Sequence, residues 1–110
     1  KREFLHVDDL ANASFILSSL SKVEYKSLTA PQQSFLNVGS GHEISIKELC
    51  KIISKTINYE CKLDFDLNKP DGTKSKVLNI KKILSLGWKP QINLYDGIRE
   101  VIKSKQYLIK

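Results

Sequence analysis

Apolar residues alternate at the start of this chain and then switch to helical spacing. Residues 2–7 place aromatic and branched side chains between polar ones and predict a strand. Asp8 and Asp9 stand where the pattern changes, and carboxylates there suit both a cap and the positive end of a helix dipole. That helix is predicted to run to about residue 20, burying Leu10, Ala13, Leu17 and Leu20. Residues 21–33 are polar, include Ala30-Pro31 and predict a loop; residues 34–38 predict a second strand, ended by Gly39-Ser40-Gly41. Ser45 and Glu48 have the spacing of a capping box. Ile46, Leu49, Cys50, Ile53 and Ile57 follow on one stripe, predicting a helix with that face buried. Residues 61–67 set Cys61, Leu63, Phe65 and Leu67 against Lys62, Asp64 and Asp66, the pattern of a half-exposed strand. Asn79 is predicted to cap a short helix through Leu86, closed by Gly87. Asn93 is predicted to start a final helix burying Leu94, Ile98, Val101 and Ile102. The fold class expected is α/β, as one small domain across residues 1–110.

Composition narrows the class. At 41% apolar and 27% charged residues the chain is ordinary for a globular protein, and no apolar run approaches the roughly 20 residues a membrane span needs. Cys50 and Cys61 lack metal-ligand spacing and read as small hydrophobes in a reducing, cytoplasmic setting. The net charge of +6 is uneven: residues 56–110 hold eleven cations against six anions. A basic half can face nucleic acid, an anionic surface or a phosphorylated small ligand. Arginine, the residue suited to bidentate phosphate and base contacts, is confined to Arg2 and Arg99, which weighs against nucleic acid.

The densest chemistry lies in Lys69-Pro70-Asp71-Gly72-Thr73-Lys74-Ser75-Lys76. Pro70 fixes φ and Gly72 permits a left-handed bend, so the loop is expected to curl and expose backbone donors toward a phosphorylated, hydroxyl-rich ligand; the plainer reading is a solvated turn. His6 has apolar neighbours and no nucleophile nearby, and reads as a packed or hydrogen-bonded core histidine. Asp8 and Asp9 read as caps, and Trp88 as a packing anchor. No serine has a base and an orienting group beside it in the pattern, so nucleophilic catalysis has no support.

This loop, with Arg2-Glu3-Phe4-Leu5-His6-Val7-Asp8-Asp9, Asn37-Val38-Gly39-Ser40-Gly41, Ser45-Ile46-Lys47-Glu48-Leu49, Leu86-Gly87-Trp88-Lys89-Pro90 and Asp96-Gly97-Ile98-Arg99-Glu100, resembles the GDP-L-fucose synthase family. Those proteins are extended short-chain dehydrogenase/reductases. The opening run is shared with other nucleotide-sugar epimerases and dehydratases; the Lys-Pro-Asp-Gly-Thr loop narrows the resemblance. The loop departs from the family pattern at Lys74 and Ser75, where Pro then Arg are usual, and at Asn79, where Asp is usual. The resemblance implies the small C-terminal substrate-binding domain of such an enzyme, without its Rossmann domain. It also implies a GDP-sugar substrate, NADPH as cofactor of the whole enzyme, a homodimer, and no nucleic-acid or membrane partner. The family converts GDP-4-keto-6-deoxy-D-mannose to GDP-L-fucose by epimerising C3 and C5 and reducing C4. On this resemblance Arg2 and Lys76 lie on the substrate's phosphates and Asp71 near the guanosine.

The chemistry itself is missing from the chain. None of the five glycines belongs to a Gly-x-Gly-x-x-Gly turn, and none of Tyr25, Tyr59, Tyr95 and Tyr107 has a lysine four residues on. No catalytic or cofactor-binding residue is therefore assigned, and the chain alone is expected to be inactive, with part of its apolar surface uncovered and prone to self-association. Two rivals stand: another nucleotide-sugar epimerase or dehydratase, and a basic nucleic-acid-binding module.

Overall fold

A computed structural model describes residues 1–105. In order it contains β1 (Arg2–Glu3), α1 (Val7–Ser18), α2 (Lys22–Leu28), β2 (Glu43–Ile44), α3 (Ile46–Ile57), α4 (Lys81–Leu84) and α5 (Leu94–Lys105). The fold is α/β, with helices gathered around one short antiparallel pair in which Arg2 faces Ile44 and Glu3 faces Glu43.

Side-chain tethers extend what this pair begins. The Glu3 carboxylate accepts the Gly41 amide at 2.6 Å and the Leu78 amide at 2.8 Å. It presses so closely on Gly39 that a Cβ there would lie 2.4 Å from its oxygen. Asp9, 4% exposed, accepts the amides of Gln91 and Ile92 at 3.0 Å each, pinning the approach to α5 against the start of α1. Between these tethers lies the core of Ala13, Ile80, Ile83 and Trp88, flanked by Leu5, Ile16, Leu17 and Val38. Trp88 is the packing anchor expected, 3% exposed.

Several expectations need correction. Of residues 2–7 only Arg2 and Glu3 pair as strand. Residues 34–38 and 61–67 form no strand; the sheet among the described residues pairs β1 with β2, and neither segment joins it. Residues 21–33 contain α2, which starts at a capping box of Ser21 and Glu24 that the polar composition concealed. His6, not an aspartate, caps α1, its Nδ1 accepting the Asp8 amide at 3.3 Å. The short helix after Asn79 stops at Leu84, though Asn79 does accept the Lys81 amide and Gly87 adopts the left-handed conformation at φ 81°.

The expected helical stripes form but are incompletely covered. α3 and α5 pack together, yet Leu10, Ile46, Ile53, Ile57 and Val101 remain exposed. The accessible surface is 8921 Å², where a folded monomer of this mass exposes about 6,200 Å². Phe15, Val23 and Leu67 are also open to solvent, at 72%, 79% and 92% exposure. No helix among the described residues is long and apolar enough to cross a membrane.

The Ser45 amide, and then its hydroxyl, hold the Glu48 carboxyl below its ordinary value of 4.5. A lowered folded pKa contributes stability that is present above the unfolded value and lost as pH falls through the folded one. The helicity of α3 is therefore expected to decline below pH 4.5, followed by circular dichroism. Ser45→Ala should cost about 0.5–2 kcal/mol in urea denaturation and weaken that dependence.

Candidate functional site

Where β1, the start of α3 and the loop after residue 69 meet, Lys1, Arg2, Ile46 and residues 71–74 line a cleft of about 360 Å³. Strand alternation makes this possible, since Glu3 engages the frame while its neighbour Arg2 projects to the other side. Arg2 Nη1 donates to the Thr73 carbonyl at 2.7 Å and to the Lys1 carbonyl at 2.6 Å. No protein acceptor for Nη2 occurs among the described residues, which leaves part of the guanidinium fork for an external anion.

The loop borrows its shape from both strands. Arg2 holds it at Thr73, and the Ser75 hydroxyl donates to the Glu43 carboxylate on β2. Gly72 is not left-handed; the positive-φ glycines among the described residues are Gly41 and Gly87. What Gly72 contributes is absence of bulk, since a Cβ there would lie 3.1 Å from Arg2 Nη2. Of the residues singled out in the sequence, Arg2 and Asp71 come together in this cleft, whereas Lys76 is exposed and outside its lining. Lys74 lines the cleft, a placement that residue spacing alone did not reveal.

A second hollow of about 490 Å³ is apolar, with Phe4, Ile53, Ile57, Leu94, Ile98 and Ile102 in its wall. His6 sits at its edge, with a side chain 11% exposed. A Cβ on Gly97 would lie 2.8 Å from His6 Cδ2, so the ring packs onto α5 where glycine leaves room. This is the packed, hydrogen-bonded histidine expected. His6, Asp8 and Glu100 each bring one ligand atom within 4.8 Å of the others. The two carboxylates approach different ring nitrogens, however, Asp8 at Nδ1 and Glu100 at Nε2, and Nδ1 already accepts an amide. Glu100, at 3.9 Å, is too far to bond Nε2, which is buried without a hydrogen-bond partner among the described residues. Both cysteines are free thiols.

No family model matches the chain. It is 42% identical over 100 residues to GDP-L-fucose synthase 1 of Arabidopsis thaliana, an alignment covering 90% of this chain and 28% of the relative. A crystal structure of a GDP-6-OMe-4-keto-L-xylo-heptose reductase from C. jejuni superposes with a TM-score of 0.82 at 32% identity. That match covers 97% of this chain and 31% of the other. A GDP-mannoheptose C4 reductase from Campylobacter jejuni with NADP bound gives 0.76 at 31% identity, covering 96% and 31%. The chain spans about 28% of the length of the curated relatives it matches. It corresponds in sequence and fold to the C-terminal part of these extended short-chain dehydrogenase/reductases.

Removing the tie to β2 should loosen the loop selectively. In Ser75→Ala, amide hydrogen exchange at residues 71–76 is expected to quicken by about tenfold, as for loss of a hydrogen bond to a charged group. The amides of α3 should keep their protection.

Proposed function

We propose that the protein carrying this chain is an NADPH-dependent reductase of a GDP-linked 4-keto sugar, and that this part grips the GDP. The supporting observation is the shared cleft, where Arg2 and Asp71 line one space and the loop is tied at Thr73, Lys74 and Ser75. A guanidinium fork pairs with diphosphate oxygens. Asp71 in the same cleft repels phosphate and suits the N–H groups of guanine or the hydroxyls of ribose.

The residues of this chain offer a nicotinamide cofactor no glycine-rich turn to carry its pyrophosphate, and Tyr25, Tyr59 and Tyr95 have no lysine four residues on. Cofactor and proton chemistry belong to a part of the enzyme outside this sequence, and the chain alone turns nothing over. Its contribution is positional. Binding energy at the nucleotide, far from the reacting carbons, orients the sugar for reaction elsewhere.

GDP-4-keto-6-deoxy-D-mannose, taken to GDP-L-fucose, is the substrate favoured by the sequence relatives. A second reading, reduction of a GDP-4-keto-heptose, draws support from the backbone likeness to the Campylobacter enzymes. Both require the same grip on GDP and differ in the sugar pocket. The enzyme is further proposed to be a cytoplasmic homodimer.

In the full-length protein, Arg2→Ala should weaken GDP-sugar binding by about 1.5–3 kcal/mol, the range for hydrogen bonds to charged groups. Isothermal titration checks this, and unchanged affinity would remove the assigned role. Turnover of the two GDP-sugars, with UDP-sugars as control, separates the readings; preference for UDP-sugars would exclude both.

A further inference from the structure

We infer that Lys74, rather than Lys76, supplies the second cation to the diphosphate, so that the loop's departure from its relatives relocates a phosphate contact. This rests on the GDP reading above. Arg2 already spends Nη1 on two carbonyls, and Lys1, which also lines the cleft, faces Glu43 at 3.8 Å, so a diphosphate calls for a further cation. The loop holds three lysines, Lys69, Lys74 and Lys76, and only Lys74 lines the cleft with Arg2. The reason lies in the tethers. Thr73 is bound to Arg2 and Ser75 to Glu43, which brackets residue 74 beside the guanidinium. Lys76 lies two residues further on, beyond the second tether, or about 6–7 Å along an extended chain.

The surrounding charges leave Lys74 available. It has no carboxylate partner among the described residues. The nearby Glu43 is engaged by the Ser75 hydroxyl and lies 3.8 Å from Lys1 Nζ. Asp71 shares the cleft and disfavours phosphate on its own side, which directs the diphosphate toward the edge formed by Arg2 and Lys74. Lysine binds phosphate as a mobile point charge and imposes less orientation than arginine. The two cations therefore divide the work: Arg2 sets the geometry and Lys74 adds attraction.

The test is isothermal titration of the full-length protein with GDP and with guanosine, at two salt concentrations. Lys74→Ala is expected to weaken GDP binding by about tenfold or more and to flatten its salt dependence, as for loss of one charge-assisted contact. Guanosine affinity should not change. Lys74→Arg should restore GDP binding, and Lys76→Ala should shift it by no more than about twofold, within the range of surface ion pairs. Wild-type GDP affinity in Lys74→Ala, alongside a weakened Arg2→Ala, would overturn the role of Lys74 and leave the GDP reading standing. Unchanged affinity in both variants would overturn the reading itself. The substituted lysines are exposed, and matching thermal unfolding curves would exclude misfolding as the cause of any loss.

Discussion

The Glu3 carboxylate ties β1 both to the glycine turn before β2 and to the segment ahead of α4. Its two amide partners lie 38 and 75 residues away in sequence. A two-residue strand pair holds little by its ladder alone, whereas a carboxylate accepting two amides makes charge-assisted bonds of roughly twice the neutral strength. Gly39 is part of the same joint, since any side chain there would displace the carboxylate. Glu43, directly across the ladder, would repel Glu3 if both carboxylates competed for the same donors. They do not, because Glu43 turns to Ser75 and Lys1.

Fixing Glu3 also fixes the site. Alternation along the strand sends Arg2 to the side opposite its neighbour, where it catches the loop at Thr73. The loop has no regular structure of its own, so the cleft exists only while β1 and β2 are held in register. Asp9 does for the other end of the molecule what Glu3 does for this one, capturing two amides ahead of α5. These polar tethers matter more than usual because the apolar core among the described residues is four buried side chains. Much of the remaining apolar surface on α1, α3 and α5 lies open, in keeping with a chain that spans 28% of its curated relatives.

Several signals complete within a few residues match the structure. The capping box at Ser45 and Glu48, the cap at Asn93, and the turn at Gly87 all depend on residues within four positions of one another. The same kind of signal at Ser21 and Glu24 was equally legible but lay under polar composition. Strands fared differently. Cys61, Leu63, Phe65 and Leu67 alternate correctly, yet alternation describes one edge of a ladder and cannot provide the other. Asp9 looked like a cap because caps are local, and its actual partners are 82 and 83 residues away.

The sequence by itself determined α1, α3 and α5, the capping box of α3, and a lysine-rich loop in the same chain as an arginine strand, because these follow from side-chain chemistry and spacing over a few residues. It also shows that no Gly-x-Gly-x-x-Gly turn occurs in this chain. Only the tertiary structure decided which loop lysine stands beside Arg2, which carboxylates hold the frame, and how much of each helical stripe stays uncovered. Those outcomes depend on contacts between residues far apart in the chain, and neither spacing nor propensity carries information about them.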